Sequence, residues 1–200
     1  MTTTRDTPAI DVVPLAATTW APLAELFAAG GDPKWCWCQF WRKPGSNWSN
    51  TTADDNRRDL RARVDGGGFA PGLVAVVDGS AVGWVGLGPR DGFDRLARSK
   101  TLPQQPGDDV WVINCFVVAK GSRRSGVASA LLDAAVDYAR QHGAGTIEGY
   151  PVQTSGSRIS SASVYTGTAA MFERAGFSVF AESTSKAASG TPRVVMRRTP

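Results

Sequence analysis

An apolar run from Val110 to Val118 breaks into a short polar loop, and a helix-periodic segment follows from Gly126. A strand that feeds a glycine-bearing loop and then a helix aims several backbone N–H groups at one point. The helix dipole adds about half a positive charge there, so the turn favours a phosphate or pyrophosphate. The loop residues Arg123, Arg124, Ser125, Gly126, Val127 and Ala128 fit the pattern Gln/Arg-x-x-Gly-x-Gly/Ala. Gly121 and Gly126 have the spacing of a nucleotide P-loop, but Val127 and Ala128 stand where such a loop needs Lys and Ser/Thr. No GxGxxG is present, so a dinucleotide fingerprint is missing as well. The hexapeptide by itself leaves an ordinary strand-to-helix turn open. In the helix, Val127, Leu131, Ala134, Ala135 and Tyr138 fall on one face at helical spacing.

The surrounding segments narrow the choice. Leu73 to Leu87 reads as two β-rich runs about a turn at Asp78-Gly79. Thr146 to Val152 reads as a strand after the long helix, Thr168 to Phe177 as a short helix with a Gly-Phe exit, and Val179-Phe180 with Arg193 to Met196 as closing strands. Taken in order over roughly residues 70–197, these segments resemble the GNAT acyltransferase superfamily, in its bacterial small-molecule type. The resemblance implies an α/β fold: a central mixed, mostly antiparallel sheet of about seven strands, splayed between strands 4 and 5 and flanked by about four helices. It also implies one domain over residues 1–200, with residues 110–142 as the acetyl-CoA-binding strand, loop and helix. Residues 16–68 would be a helical acceptor-side segment and residues 1–9 a flexible start.

Composition fits that expectation. Two hundred residues with 42% apolar content can build one core. No 18-residue apolar run predicts a membrane span, and the opening MTTTRDTPAIDVV lacks the apolar stretch of a signal peptide. Three cysteines leave one over after any pairing, which argues against a disulfide framework and points to the cytoplasm. The net charge of +4 suits an anionic ligand. No nucleic-acid reader motif accompanies it, so no nucleic-acid partner is expected; a monomer or homodimer is.

In the first 70 residues, Asp11 to Leu15 reads as a strand. Trp20 to Ala29 reads as a helix with Thr19 as cap, and Thr52 to Asp65 as a second helix with acids first and arginines after. Gly66 to Gly68 and Ser183 to Thr191 read as flexible connections. Between the two helices lies the aromatic and cysteine-rich segment Trp35-Cys36-Trp37-Cys38-Gln39-Phe40-Trp41-Arg42. It reads either as a packed cover over the core or as a wall of an acceptor pocket. In the second case Trp35, Trp37, Phe40 and Trp41 offer aromatic faces for an amine and Arg42 pairs with a carboxylate. Zinc is not expected: of its only candidate ligands, Cys36, Cys38, Cys115 and His142, Cys115 reads as mid-strand and His142 as a helix end, which does not bring the four together.

The resemblance implies acetyl transfer from acetyl-CoA to a primary amine by direct attack in a ternary complex, the acceptor being a small metabolite, amino-acid-like compound or antibiotic. The backbone of Phe116, Val117 and Val118 would pair with the pantetheine arm, and the N–H groups of Arg123 to Ala128 would surround the pyrophosphate. Tyr165, Thr168 and Phe172 would touch the cofactor. Two departures matter. The tyrosine that relatives use as acid, four residues before the Gly of the last helix, is Phe172, and the fourth-strand glutamate is Val112. Alternation would put Val112, Asn114, Phe116 and Val118 on one strand face, so Asn114 is the polar group there. It can orient a water but cannot act as a base. Glu148 is the candidate base, and Tyr165 the candidate acid beside Tyr150 in the acceptor site. The missing tyrosine and glutamate also admit a non-catalytic acyl-CoA-binding regulatory module.

Overall fold

A computed structural model describes residues 9–102, 109–154, 160 and 163–200. The flexible start expected at residues 1–9 therefore lies, except for Ala9, outside the described residues. Along the chain run β1 (Asp11–Pro14), α1 (Trp20–Ala28), α2 (Pro33–Cys36), α3 (Gly45–Trp48), α4 (Ala53–Asp65), β2 (Gly72–Val77), β3 (Ser80–Pro89), α5 (Asp94–Ala97), β4 (Val110–Val118), α6 (Val127–Gln141), β5 (Thr146–Gly149), α7 (Ala169–Arg174), β6 (Ser178–Lys186) and β7 (Pro192–Arg198). The strands form one sheet in the order β1-β2-β3-β4-β5-β7-β6. Only β4 and β5 pair in parallel; the other neighbours are antiparallel. The four longer helices are α1, α4, α6 and α7, and the remaining three are four-residue turns.

Local chemistry accounts for most boundaries. Asp78 and Gly79 both take positive φ, at 49° and 76°, which gives the tight turn that matches strand twist between β2 and β3. Thr52 caps α4 by accepting from Asp55 N at 3.1 Å, and the Asp55 carboxylate accepts from Thr52 N at 3.0 Å. The Thr52 hydroxyl also donates to the Asp55 carboxylate at 2.7 Å, and that bond, followed by the one from Thr52 N, pulls the Asp55 carboxyl down to about 2. Its contribution to α4 is therefore full above the unfolded carboxylate range and is lost as pH falls through about 2. Replacing Thr52 by Ala is expected to cost about 1 kcal/mol in a denaturant melt.

Three expectations change. Thr19 does not cap α1; its hydroxyl accepts from Ala16 N at 2.9 Å and closes the preceding turn instead. β5 stops at Gly149 rather than Val152, because Pro151 has no N–H for the ladder; Val152 makes only single bridges to Thr168 and Arg193. Ser183 to Thr191 is not a loose connection throughout. Ser183 to Lys186 complete β6, the edge strand, where small polar residues suit an exposed position.

The sheet separates two apolar layers. On one face α6 and α7 pack through Val127, Leu131, Ala135, Met171 and Phe172 onto Val85, Ile113, Phe116 and Met196. On the other, α1 and the aromatic segment cover Val74, Trp84 and Cys115, and Trp41, Phe93 and Tyr150 cover Val112 and Val195.

Candidate active site

The β4–β5 ladder runs from Val110↔Thr146 to Ile113↔Gly149 and ends there. Beyond that point β4 continues for five more residues paired only with β3, so a wedge opens along its free edge. At the mouth of the wedge β4 carries a bulge: Gly86 faces Cys115 and Leu87 faces Ile113, leaving Asn114 as the extra residue. A bulge resets side-chain alternation. Val112 consequently packs on the aromatic-segment face while Phe116 and Val118 pack on the α6 face. The single face expected for Val112, Asn114, Phe116 and Val118 does not form. Asn114 is buried, its Oδ1 lies over Gly86, and that oxygen has no hydrogen-bond partner.

Inside the wedge, the carbonyl of Tyr165 accepts from Phe116 N at 2.6 Å. The N–H assigned by resemblance to the pantetheine arm is thus already engaged by the chain itself. Phe172, fully buried, closes the wedge at depth, with its ring edge-on to Phe116 at 6.2 Å and to Phe177 at 4.9 Å. It belongs to the core and is not an exposed cofactor contact. Thr168 is the cap of α7, its hydroxyl accepting from Met171 N at 3.3 Å. Val117 packs in the layer under α1.

At the far end of β4 the loop turns through Arg124 at φ 65° and Gly126 at φ 87°. Ser125 Oγ donates to Ser122 O at 2.6 Å and fixes the turn. Gly126 is the N-cap of α6, and a β-carbon there would meet no protein atom within 4 Å. Glycine suits its left-handed backbone, and no protein atom crowds the approach to it. Among the described residues no acceptor outside α6 pairs with the N–H groups of Arg123 to Ala128. Orphan donors at the start of a 15-residue helix suit an anion.

The candidate base is held elsewhere. Glu148 is fully buried: Oε1 accepts from the Tyr150 hydroxyl, and Oε2 accepts from Arg197 Nε at 2.8 Å and Nη2 at 2.6 Å. Both oxygens are engaged by neighbours in the interior, an arrangement that suits an anchor of the sheet. Burial, then the Glu148 charge, pushes the Tyr150 hydroxyl well above its usual value, so Tyr150 remains a donor. Its ring stacks under Trp41 at 6.1 Å.

The aromatic segment divides between the two expected roles. Phe40 and Trp41 line a cavity of about 560 Å³ together with Tyr165, a size in the range of small-ligand sites. Trp37 is buried between Trp20, at 5.8 Å, and Phe27, at 5.2 Å. Trp35 is exposed, edge-on to Trp48. Arg42 is buried over Phe93 and gives its donors to Leu87 O at 2.9 Å, Pro71 O at 3.3 Å and Gly92 O at 3.4 Å. Burial brings its guanidinium down to about 9. It ties the segment to β3 and is not free for a carboxylate.

Cys36 and Cys38 have thiols pushed up, the first mainly by its contact with Cys38 and the second mainly by burial, so neither offers a thiolate near neutral pH. His142, the fourth ligand of a zinc reading, packs against Tyr138 at 4.0 Å on the opposite side of the sheet from Cys115. The described residues contain no cluster of three or more ligands arranged for a metal ion.

A parallel pair that splays, a bulge at the splay and an anion-binding loop on the same strand now stand together. The sequence profile of the Acetyltransferase (GNAT) family matches residues 35–177. The chain belongs to the GNAT acetyltransferase family. Its members transfer acetyl from acetyl-CoA, and their fold is the one described above. Solved GNAT structures share it. A GCN5-related N-acetyltransferase from Kribbella flavida has 19% identity and a TM-score of 0.53, over 96% of this chain and 98% of that one. A GNAT acetyltransferase from Streptococcus pneumoniae has 14% identity and a TM-score of 0.56, over 96% and 99%. A chain of the NatC complex bound to Gag peptide and CoA has 15% identity and a TM-score of 0.55, over 96% and 98%. No curated protein matches the sequence. No described helix is long and apolar enough to cross a membrane.

Sequence reasoning missed two features of the candidate site in this GNAT chain. The bulge at Asn114 leaves no compositional mark, since it arises from a register shift between two strands. The cavity wall at Arg95 and Arg193 comes from segments about 100 residues apart in the chain.

Proposed function

We propose that this acetyltransferase acetylates a primary amine of a small molecule by direct attack in a ternary complex. The observation that carries the reading is the order along β4: the β4–β5 ladder ends at Ile113, Tyr165 of the cavity wall meets the strand at Phe116, and the unpaired N–H groups of Arg123 to Ala128 follow. The orphan N–H groups and the vacant space at Gly126 fit the pyrophosphate of acetyl-CoA. When bound, acetyl-CoA supplies the acetyl group and a thiolate leaving group.

The remaining roles fall to this chain's own groups. Phe116 N–H, whose present acceptor is the Tyr165 carbonyl, is the backbone donor at the bulge and suits a carbonyl oxygen there. Asn114 Oδ1, buried and without a hydrogen-bond partner, can hold a water that relays the proton of the amine. Burial raises the Tyr165 hydroxyl to about 12, with Arg193 opposing. It stays protonated and donates a hydrogen bond. Full proton transfer to a thiolate with a pKa near the thiol value of ~8.5 would be uphill by roughly 5 kcal/mol, so Tyr165 stabilises the leaving sulfur chiefly as a donor. The raised thiols of Cys36 and Cys38 support direct transfer over a covalent enzyme intermediate.

Calorimetric titration of acetyl-CoA into the wild type and Gly126→Glu tests the cofactor site. We expect micromolar binding that weakens roughly a hundredfold in a variant that remains folded, the scale of one carboxylate placed close to a phosphate. Absence of binding by folded wild type would overturn the reading. With an amine substrate in hand, Tyr165→Phe should lower kcat by roughly tenfold to a hundredfold with little change in acetyl-CoA affinity.

A further inference from the structure

The cavity beside Tyr165 has an unbalanced lining. It contains Arg95, Arg98, Lys100, Lys186 and Arg193, and no Asp or Glu among its described residues. None of these five makes a salt bridge to a described carboxylate. Among the described residues, three buried donors at its walls have no acceptor: Trp41 Nε1, Arg95 Nη2 and Arg193 Nε. Trp41 and Arg193 are each only 5% exposed, so water does not readily replace the missing partners.

Arg42 shows what a purely structural arginine looks like in this protein. Its guanidinium sits over Phe93 and its donors reach three backbone carbonyls. Arg193 and Arg95 are held but not saturated. Arg193 Nη1 donates to Lys186 O, and its guanidinium lies 5.6 Å from the Tyr165 ring centre. Arg95 Nε donates to Phe40 O at 2.7 Å and the guanidinium stacks over Phe40 at 4.2 Å. Each is aligned by a carbonyl and by aromatic rings, Arg95 lying over Trp48 as well at 5.9 Å, while a further donor stays unmatched. A buried donor without a partner is costly, and a guanidinium fork suits an oxyacid.

We propose that this cavity is an oxyanion subsite, and that the acceptor amine carries a carboxylate or phosphate group held by Arg193, Arg95 and the Trp41 indole. The inference rests on the acetyltransferase reading above and names the class of its acceptor. None of residues 114–128 lines the cavity, so it is separate from the loop assigned to the pyrophosphate. The cationic wall also disfavours an ammonium ion close by. An acceptor anchored by its acid group presents its amine beside Tyr165 with the neutral, attacking form favoured. That answers how the reaction proceeds with Glu148 locked away.

The test is calorimetric titration of matched probes into CoA-saturated protein: O-phosphoethanolamine against ethanolamine, and tryptophan against tryptamine. The anionic member of at least one pair should bind roughly tenfold tighter or more, and which pair responds identifies phosphate or carboxylate. Arg193→Gln and Arg95→Gln should each erase the preference with acetyl-CoA affinity unchanged. Arg98→Ala with Lys100→Ala, at outer positions, should weaken it in protein whose fold is not in question. Equal or tighter binding of ethanolamine and tryptamine by folded wild type overturns the proposal, as does a preference that survives all the variants. Failure to bind acetyl-CoA would sink the enzyme reading instead; the probes would then be titrated without CoA, and the wild-type-to-Arg193→Gln difference would still decide the subsite.

Discussion

Glu148→Gln should unfold far more easily than the wild type, losing about 3–5 kcal/mol in chemical denaturation. Two of the donors that Glu148 satisfies belong to Arg197, and the amide that replaces the carboxylate carries no charge to balance them. Arg197 also lies over the Phe180 ring at 3.8 Å, which holds its position but not its charge. On the other side the Tyr150 hydroxyl would face an amide and Trp41 would lose part of its support. Because the penalty comes from an uncompensated, half-buried cation beside a fully buried site, Glu148→Leu combined with Arg197→Met should recover much of the loss. The same variant separates two chemical roles. Loss of a general base costs roughly a hundredfold to ten-thousandfold in rate. Loss of an anchor leaves the folded fraction able to turn over. Below its melting transition Glu148→Gln should retain kcat within about tenfold; a deeper loss in demonstrably folded protein would restore Glu148 to the catalytic step.

Glu148 also shows where sequence reading stops. β4, the loop and α6 were legible because their information is local: alternating and helical periodicity, a turn glycine and a polar break. The bounds Val110–Val118 of β4 coincide with the apolar run. The hairpin at Asp78-Gly79 was legible for the same reason, since its φ values are intrinsic to those residue types. Roles set by a partner distant in sequence were not. A glutamate on a short strand reads equally as an open base or a closed anchor until Arg197, 49 residues away, is seen on it. Arg42 read as a ligand for a carboxylate because three backbone carbonyls leave no trace in a sequence. The strand face carrying Asn114 was misread for a further reason: an alternation argument assumes an unbroken ladder, and the ladder is broken at the point where the site requires it.

The second large effect concerns the back of the wedge. Gly149→Ala should destabilise the fold by about 1–3 kcal/mol through overpacking. An added β-carbon would lie 2.2 Å from Phe172 Cε1 and 2.7 Å from its Cζ, far inside contact distance. The ring cannot step aside easily, for Phe116 and Phe177 meet it edge-on and Gly167 leaves no more room on its other side. Space at Gly149 is therefore what allows an aromatic ring to seal the point where β4 and β5 part. If that is the cause, a smaller residue at 172 should relieve it. Phe172→Leu alone should cost stability by opening a cavity. The double variant should be less unstable than the sum of the two by about 1 kcal/mol or more, measured as a coupling in denaturant melts. Additive losses would mean that the alanine acts on the backbone of β5 and not on the ring. The coupling bears on chemistry as well. The residue that seals the wedge stands where the family resemblance places a tyrosine, and its ring is fully buried in the core. Phe172→Leu should then weaken acetyl-CoA binding only if the seal is lost, which titration of the same variant reads directly.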